Sequence, residues 1–137
     1  MKFTGGCLCG AVRYECSAEP VMAGVCHCED CRRSSGSGHS THLAVPEDGV
    51  RITGETKAYE RPADSGNIVA RHFCPHCGAP VFSLNVGMPG MVFLRASSLD
   101  DLEVFKPEMH VFAARAASWD QPREGVPAFD RMPPGMG

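Results

Sequence analysis

The chain has 137 residues, the size of one compact domain, and its 43% hydrophobic and 21% charged residues exclude a disordered chain. A net charge of -3 excludes a general basic field for a phosphate backbone, and no apolar run approaches the roughly 20 residues that span a bilayer. The opening MKFTGGCLCG has no apolar signal core, so the expectation is a cytoplasmic protein whose thiols stay reduced. Its 8 cysteines, grouped in C-x-C and C-x-x-C pairs, then read as metal ligands or redox groups before disulfides.

Cys7 and Cys9 come first in the chain. On an extended segment, positions i and i+2 project to the same side, so both sulfurs can face one ion. Gly5, Gly6 and Gly10 flank them and would let the backbone curve around it. A strand is predicted over Ala11–Cys16, with Val12, Tyr14 and Cys16 on one face and Arg13 and Glu15 on the other. Cys16 reads there as a small core residue.

CHCEDCRR packs Cys26, Cys28 and Cys31 close together, with a short helical turn expected after Cys28. A C-x-C step followed by a C-x-x-C turn can wrap three thiolates around one face of an ion. Three protein ligands and an open fourth position is the arrangement of a catalytic zinc. The alternative is a closed second site completed by Cys16, a histidine or a carboxylate. Three thiolates on Zn²⁺ leave a net charge of about -1. Arg32 and Arg33, next in the chain, are candidates to balance it or to bind an anionic ligand. His27 should point away from the ion. His39 and His42 read as surface or hydrogen-bonded histidines, and Ser34, Ser35 and Ser37 as a turn.

Further strands are predicted over His39–Val45, Arg51–Thr53, Lys57–Arg61 and Ile68–Phe73. FCPHCG follows, with Cys74 and Cys77 in a tight knuckle closed by Gly78 and His76 facing solvent. Two distant cysteine pairs supply four sulfurs, the closed set of a structural zinc. A redox dithiol would open a helix, whereas this turn leads into the strand-like Pro80–Asn85. Strands at Met91–Arg95 and His110–Ala114 complete a mostly β, mostly antiparallel reading of one domain over residues 1–137. Residues 121–137, rich in Pro and Gly, read as an irregular tail pinned by Val126, Phe129 and Met132.

The combination GGCLCGAVRYEC, CHCEDCRRSSGS and FCPHCGAPVF resembles the glutathione-dependent formaldehyde-activating enzyme and centromere protein V family. The segment HVFAARAASWDQPREGVPAF, with His110, Trp119 and Phe129, is similar to that family's closing segment. The resemblance implies a β-tent fold of short antiparallel strands organised around a structural zinc. It implies that zinc on Cys7, Cys9, Cys74 and Cys77, and a catalytic zinc on Cys26, Cys28 and Cys31. The implied activity is that of a carbon–sulfur lyase, condensing formaldehyde with glutathione to S-(hydroxymethyl)glutathione.

In the enzyme reading a thiol sits at the fourth position beside Cys26, Cys28 and Cys31, Arg32 or Arg33 holds its carboxylate, and the sulfur adds to a small aldehyde. Glu29, Asp30, His39 and His42 are candidates for the general acid. The alternative is a non-catalytic zinc module for protein–protein interaction, with Met88, Pro89, Met91 and the Met132–Met136 tail as its apolar patch. Nucleic-acid and membrane partners are not expected, and a homodimer is left open.

Overall fold

The computed structural model describes residues 2–134. Met1 and residues 135–137, among them the Met136 end of the expected apolar patch, lie outside the described residues. Strands β1 (Phe3–Gly6), β2 (Arg13–Cys16) and β5 (Val50–Thr53) form a three-stranded antiparallel sheet in the order β1-β2-β5. A seven-stranded sheet contains β3 (Met22–Cys26), β4 (Ser40–Pro46), β6 (Lys57–Pro62), β7 (Ile68–Phe73), β8 (Pro80–Asn85), β9 (Met91–Arg95) and β10 (Met109–Val111). Its order is β10-β3-β4-β9-β8-β7-β6, antiparallel throughout except where β10 runs parallel to β3. One α-helix, α1 (Glu29–Ser35), separates β3 from β4. No helix among the described residues is long and apolar enough to cross a membrane.

Period-2 alternation gives the large sheet two faces with different jobs. On one face Ala23, Leu43, Val45, Val92 and Leu94 meet Phe3, Val12, Tyr14 and Cys16 of the small sheet in one buried cluster. On the other face the intervening residues, including Met22, Gly24, Cys26, His42 and Phe93, line a cavity. Cys16 is fully buried in the shared core, the place its alternation assigns it.

Two strands escape the sequence pattern. β1 carries two glycines and β3 carries one, and neither shows the β-branched enrichment that marks a strand. The expected strand His110–Ala114 stops at Val111, because Phe112 adopts the left-handed conformation (φ 52°, ψ 37°) and a 3₁₀ turn follows over Ala113–Arg115. The tail is tied beside β10: His110 N–H donates to the Pro127 carbonyl at 2.8 Å, and Phe129 N–H to the His110 carbonyl at 2.9 Å.

Gly5 has a steric role that differs from wrapping a metal. A Cβ there would run into the Tyr14 hydroxyl and the Ser98 carbonyl. The Tyr14 hydroxyl lies 2.7 Å from Ser98 Oγ, which itself donates to the Arg95 carbonyl at 2.6 Å, so this contact joins the two sheets. Gly5→Ala should therefore overpack the seam and lower stability by about 1–3 kcal/mol. A urea-unfolding midpoint equal to that of the parent would contradict this.

Candidate metal centres

The loop between β1 and β2 carries Cys7 and Cys9, and the turn between β7 and β8 carries Cys74 and Cys77. Their four sulfurs lie within 4.8 Å of one another. The Cys7–Cys9 and Cys9–Cys74 separations are both 3.7 Å, far from a bonded disulfide, and all eight cysteines are free. A tetrahedron with zinc–sulfur arms of about 2.3 Å has edges of about 3.8 Å, so these spacings suit that ion. Backbone N–H groups already point at the sulfurs: Val12 donates to Cys7 Sγ at 3.2 Å and His76 to Cys74 Sγ at 3.4 Å. Such bonds stabilise thiolates, the ligand form. Gly78 closes the knuckle at φ +76°, and His76 is exposed.

Cys26 ends β3, and Cys28 and Cys31 belong to the start of α1, which is a full two-turn helix rather than a single turn. Cys28 is its N-cap and accepts from Cys31 N–H at 3.3 Å. These three sulfurs also lie within 4.8 Å of one another. Hydrogen bonds from Cys26 and Cys31 hold the Cys28 thiol far below its ordinary range, and the Cys26–Cys28 bond pushes Cys26 up. Cys31 is also pushed up, to about 11, so Cys28 is the sulfur of this cluster that favours the thiolate.

Arg32 and Arg33 do not serve that charge. They occupy the last turn of α1, where cations suit the helix C-terminus, and Arg33 Nε lies 3.4 Å from Glu29 one turn back. Neither lines the cavities at the cysteines. Arg71 of β7 lines both of these cavities, and Arg95 of β9 lies buried behind the sulfurs. Arg95 is 3% exposed, donates to Ser40 Oγ, and has no carboxylate partner among the described residues. Burial lowers its pKa, and the sulfurs of Cys31, Cys26 and Cys28 act in the opposite direction. A buried cation needs an anion, and these sulfurs are what faces it. The sequence hint was the basic end of MVFLR, a residue type that should not finish a buried strand unpaired.

Of the four candidate acids, only His42 touches a ligand sulfur, its Nε2 lying 3.5 Å from Cys31 Sγ. The same nitrogen is 2.9 Å from Ser40 Oγ, and burial followed by the Arg95 charge pushes its pKa down to about 3. Neutral His42 is a hydrogen-bonding group here. Glu29 pairs with Arg33, and Asp30 lies 3.5 Å from Arg61. Ser34 and Ser35 cap carbonyls of α1 itself, and Ser37 hydrogen-bonds the His39 carbonyl.

His27 points away from the sulfurs and is 1% exposed. Arg123 N–H donates to His110 Nε2 at 3.1 Å, so in neutral His110 the proton sits on Nδ1 and goes to His27 Nε2 at 2.9 Å. Burial lowers the pKa of both rings, consistent with their neutrality. His27 then carries its own proton on Nδ1, buried without a partner. His39 Nδ1 lies 2.5 Å from Asp120 Oδ2. His27, His39 and Asp120 are grouped closely enough to hold an ion. His39 and Asp120 are hydrogen-bonded to each other, and the His39 ring lies tilted 5.6 Å from that of His27.

Two cavities meet at Cys28, Arg71 and Phe112. One, of about 180 Å³, is walled mainly by apolar side chains, among them the Met88 and Met132 expected on an outer patch. The other, of about 250 Å³, is polar and carries both signs of charge, Arg61, Arg71 and Arg115 with Glu29, Asp30 and Asp64. Arg61 faces Asp30, and Arg115 faces Asp64 at 3.9 Å, while Arg71 has no carboxylate partner among the described residues.

Comparison with known proteins agrees with the cysteine pattern. No curated protein matches the chain. A crystal structure of a Rhodobacter sphaeroides protein, a structural-genomics target, matches with a TM-score of 0.57 at 20% identity, covering 71% of this chain and 87% of that one, a likeness of fold. The model of the glutathione-dependent formaldehyde-activating enzyme family matches residues 2–115, a span that contains both cysteine clusters, Arg71 and Arg95, and the chain belongs to that family.

Proposed function

We propose that the chain is a zinc-dependent carbon–sulfur lyase that activates a thiol, glutathione being the expected one, for addition to formaldehyde or a related small aldehyde. In this reading Cys7, Cys9, Cys74 and Cys77 hold a structural zinc that organises a β-tent fold, and Cys26, Cys28 and Cys31 hold a catalytic one. A cytoplasmic location, with reduced thiols and abundant glutathione, is part of the same proposal. The observation that carries it is Arg95: a buried guanidinium without a carboxylate, set against three sulfurs that face an accessible cavity. When bound, zinc would supply Lewis acidity and keep an incoming thiol deprotonated at neutral pH.

The chain's own residues do the rest. Arg95 balances the anionic cluster from inside. Arg71 stands at the junction of the two cavities and is suited to a carboxylate of the thiol, the part first assigned to Arg32 or Arg33. Ser40 Oγ accepts from Arg95 and hydrogen-bonds His42 Nε2, the nitrogen that also faces Cys31 Sγ, so the three side chains form one chain of contacts to the sulfurs. In the reaction the thiolate sulfur attacks the carbonyl carbon, a C–S bond forms, and the C=O π electrons become an alkoxide that takes up a proton. The product is a hemithioacetal, with nothing oxidised or reduced. Holding both small reactants together supplies much of the rate gain.

Cys28→Ser should abolish glutathione-dependent formaldehyde consumption and reduce bound zinc from two ions to one, with the far-UV circular dichroism of the parent retained. Cys74→Ser should instead lose the folded state. Elemental analysis and circular dichroism on both variants check this, and a Cys28→Ser protein that unfolds like Cys74→Ser would make the second site structural. Arg95→Met should leave the four-sulfur site intact yet weaken metal retention at the three-sulfur site by about 10–100-fold, the usual scale for an outer-shell partner. Chelator competition measures that; unchanged affinity would remove Arg95 from the charge balance.

A further inference from the structure

The cavity beside Cys26, Cys28 and Cys31 is built for carbon. Its walls come from the large sheet's outer face: Met22 on β3, Val69 on β7, Phe93 on β9, and Met109 and Val111 on β10. Met88 and Met132 close over it from loops. Besides the cysteines, the polar groups in the lining are few: His42, Ser83, Asn85 and the single charge of Arg71. Its volume of about 180 Å³ can be set beside an apolar cavity of about 150 Å³ that takes up benzene. Formaldehyde, with no carbon beyond the carbonyl, would leave nearly all of this wall uncovered.

We infer that this cavity binds an apolar group about the size of a benzene ring, an aryl or short alkyl arm carried by the carbonyl substrate. The assignment to the carbonyl partner rests on the lyase reading above, since the neighbouring polar cavity offers Arg71, which has no carboxylate partner among the described residues, to a carboxylate of an acidic thiol. Both cavities open on Cys28, so the two reactants approach one sulfur cluster from different sides.

Two further features support an evolved binding site over incidental space. Gly24 sits between Met22 and Cys26 on the lining face of β3, a strand paired on both sides, where a side chain would normally fill the volume. A Cβ there would meet nothing closer than Met109 Cγ at 3.7 Å, an ordinary contact, so packing does not demand the glycine. Phe112 lies at the junction of the cavities with its backbone in the left-handed region at φ 52°, a conformation a bulky residue adopts only when its surroundings impose it.

The test uses the full-length zinc-loaded protein. Benzene binding is followed by ligand-observed NMR without thiol, and glutathione-dependent consumption of benzaldehyde and of formaldehyde is measured in parallel. Benzene should bind, and benzaldehyde should be the better aldehyde by at least about tenfold in kcat/KM. Gly24→Val places an isopropyl group in the cavity and should abolish benzene binding and lower the benzaldehyde-to-formaldehyde ratio by about 10–200-fold, the scale of a misfitted methylene in an apolar pocket. Ala63→Leu, in the turn after β6, outside the strand pairing and on the border of both cavities, narrows the apolar one and should likewise abolish benzene binding measured without thiol if the valine variant does not fold. No benzene binding to the parent protein, or a ratio unmoved by either substitution, would overturn the inference. If benzene binds and the substitutions remove it while neither aldehyde is consumed, the apolar pocket stands and the lyase reading falls.

Discussion

Arg95 carries a permanent positive charge into the interior, and the candidate site is arranged around the need to answer it. An isolated buried charge is very costly, and a guanidinium cannot shed its proton to escape that cost. Ser40 satisfies one of its donors without contributing charge. The compensating negative charge has to come from Cys26, Cys28 and Cys31, and a three-sulfur cluster is stably anionic when a metal holds it. In the reading proposed above, metal, thiolates and arginine would be mutually dependent. Ser40 and His42 extend the arrangement by fixing the guanidinium on one side and a neutral imidazole beside Cys31 on the other.

The scaffold keeps this polar centre compatible with a small protein by using the large sheet twice. One face closes on the small sheet in a core of aliphatic and aromatic side chains, which supplies the bulk of the apolar burial. The four-sulfur cluster sits where the β1–β2 loop of the small sheet meets the β7–β8 turn of the large one, so an ion there would staple two sheets that otherwise join through side-chain packing and the Tyr14–Ser98 contact. The opposite face is left free to present residues at every second position. Met22, Gly24 and Cys26 on one strand illustrate the outcome: wall, gap and ligand follow from a single period-2 pattern.

Chemistry was more legible in the sequence than packing. C-x-C and C-x-x-C spacings act over a few residues, so both sulfur clusters could be assembled from the chain alone, and so could the alternation that buries Val12, Tyr14 and Cys16. Arg71 and Arg95 were invisible as site residues because their role depends on strand order: β7 and β9 are brought beside β3 and β4 only by the sheet. Arg32 and Arg33 attracted notice by adjacency, yet a helix turns successive side chains to different directions and these two project along its outer surface. The roles of two glycines were not legible either. Gly5 makes room for a tyrosine ring, and Gly24 makes room for a cavity, and neither role has a local signature.

Exposure separates the two clusters in a way that fits their different tasks. Cys9 is exposed and Cys77 partly so, which a closed four-sulfur site tolerates because the ion leaves no corner for a competing ligand. An open three-sulfur site has no such protection, since any small thiol or oxidant that reaches it can react. Here Cys26 and Cys31 are buried and only Cys28 is partly accessible, at the meeting point of the two cavities. Access to a fourth position on an ion held there would be governed by what those cavities admit: a polar chain through the mixed-charge cavity, or an apolar group past the methionines. The same walls that shield the sulfurs also select the reactants, so protection and specificity arise from one structural feature.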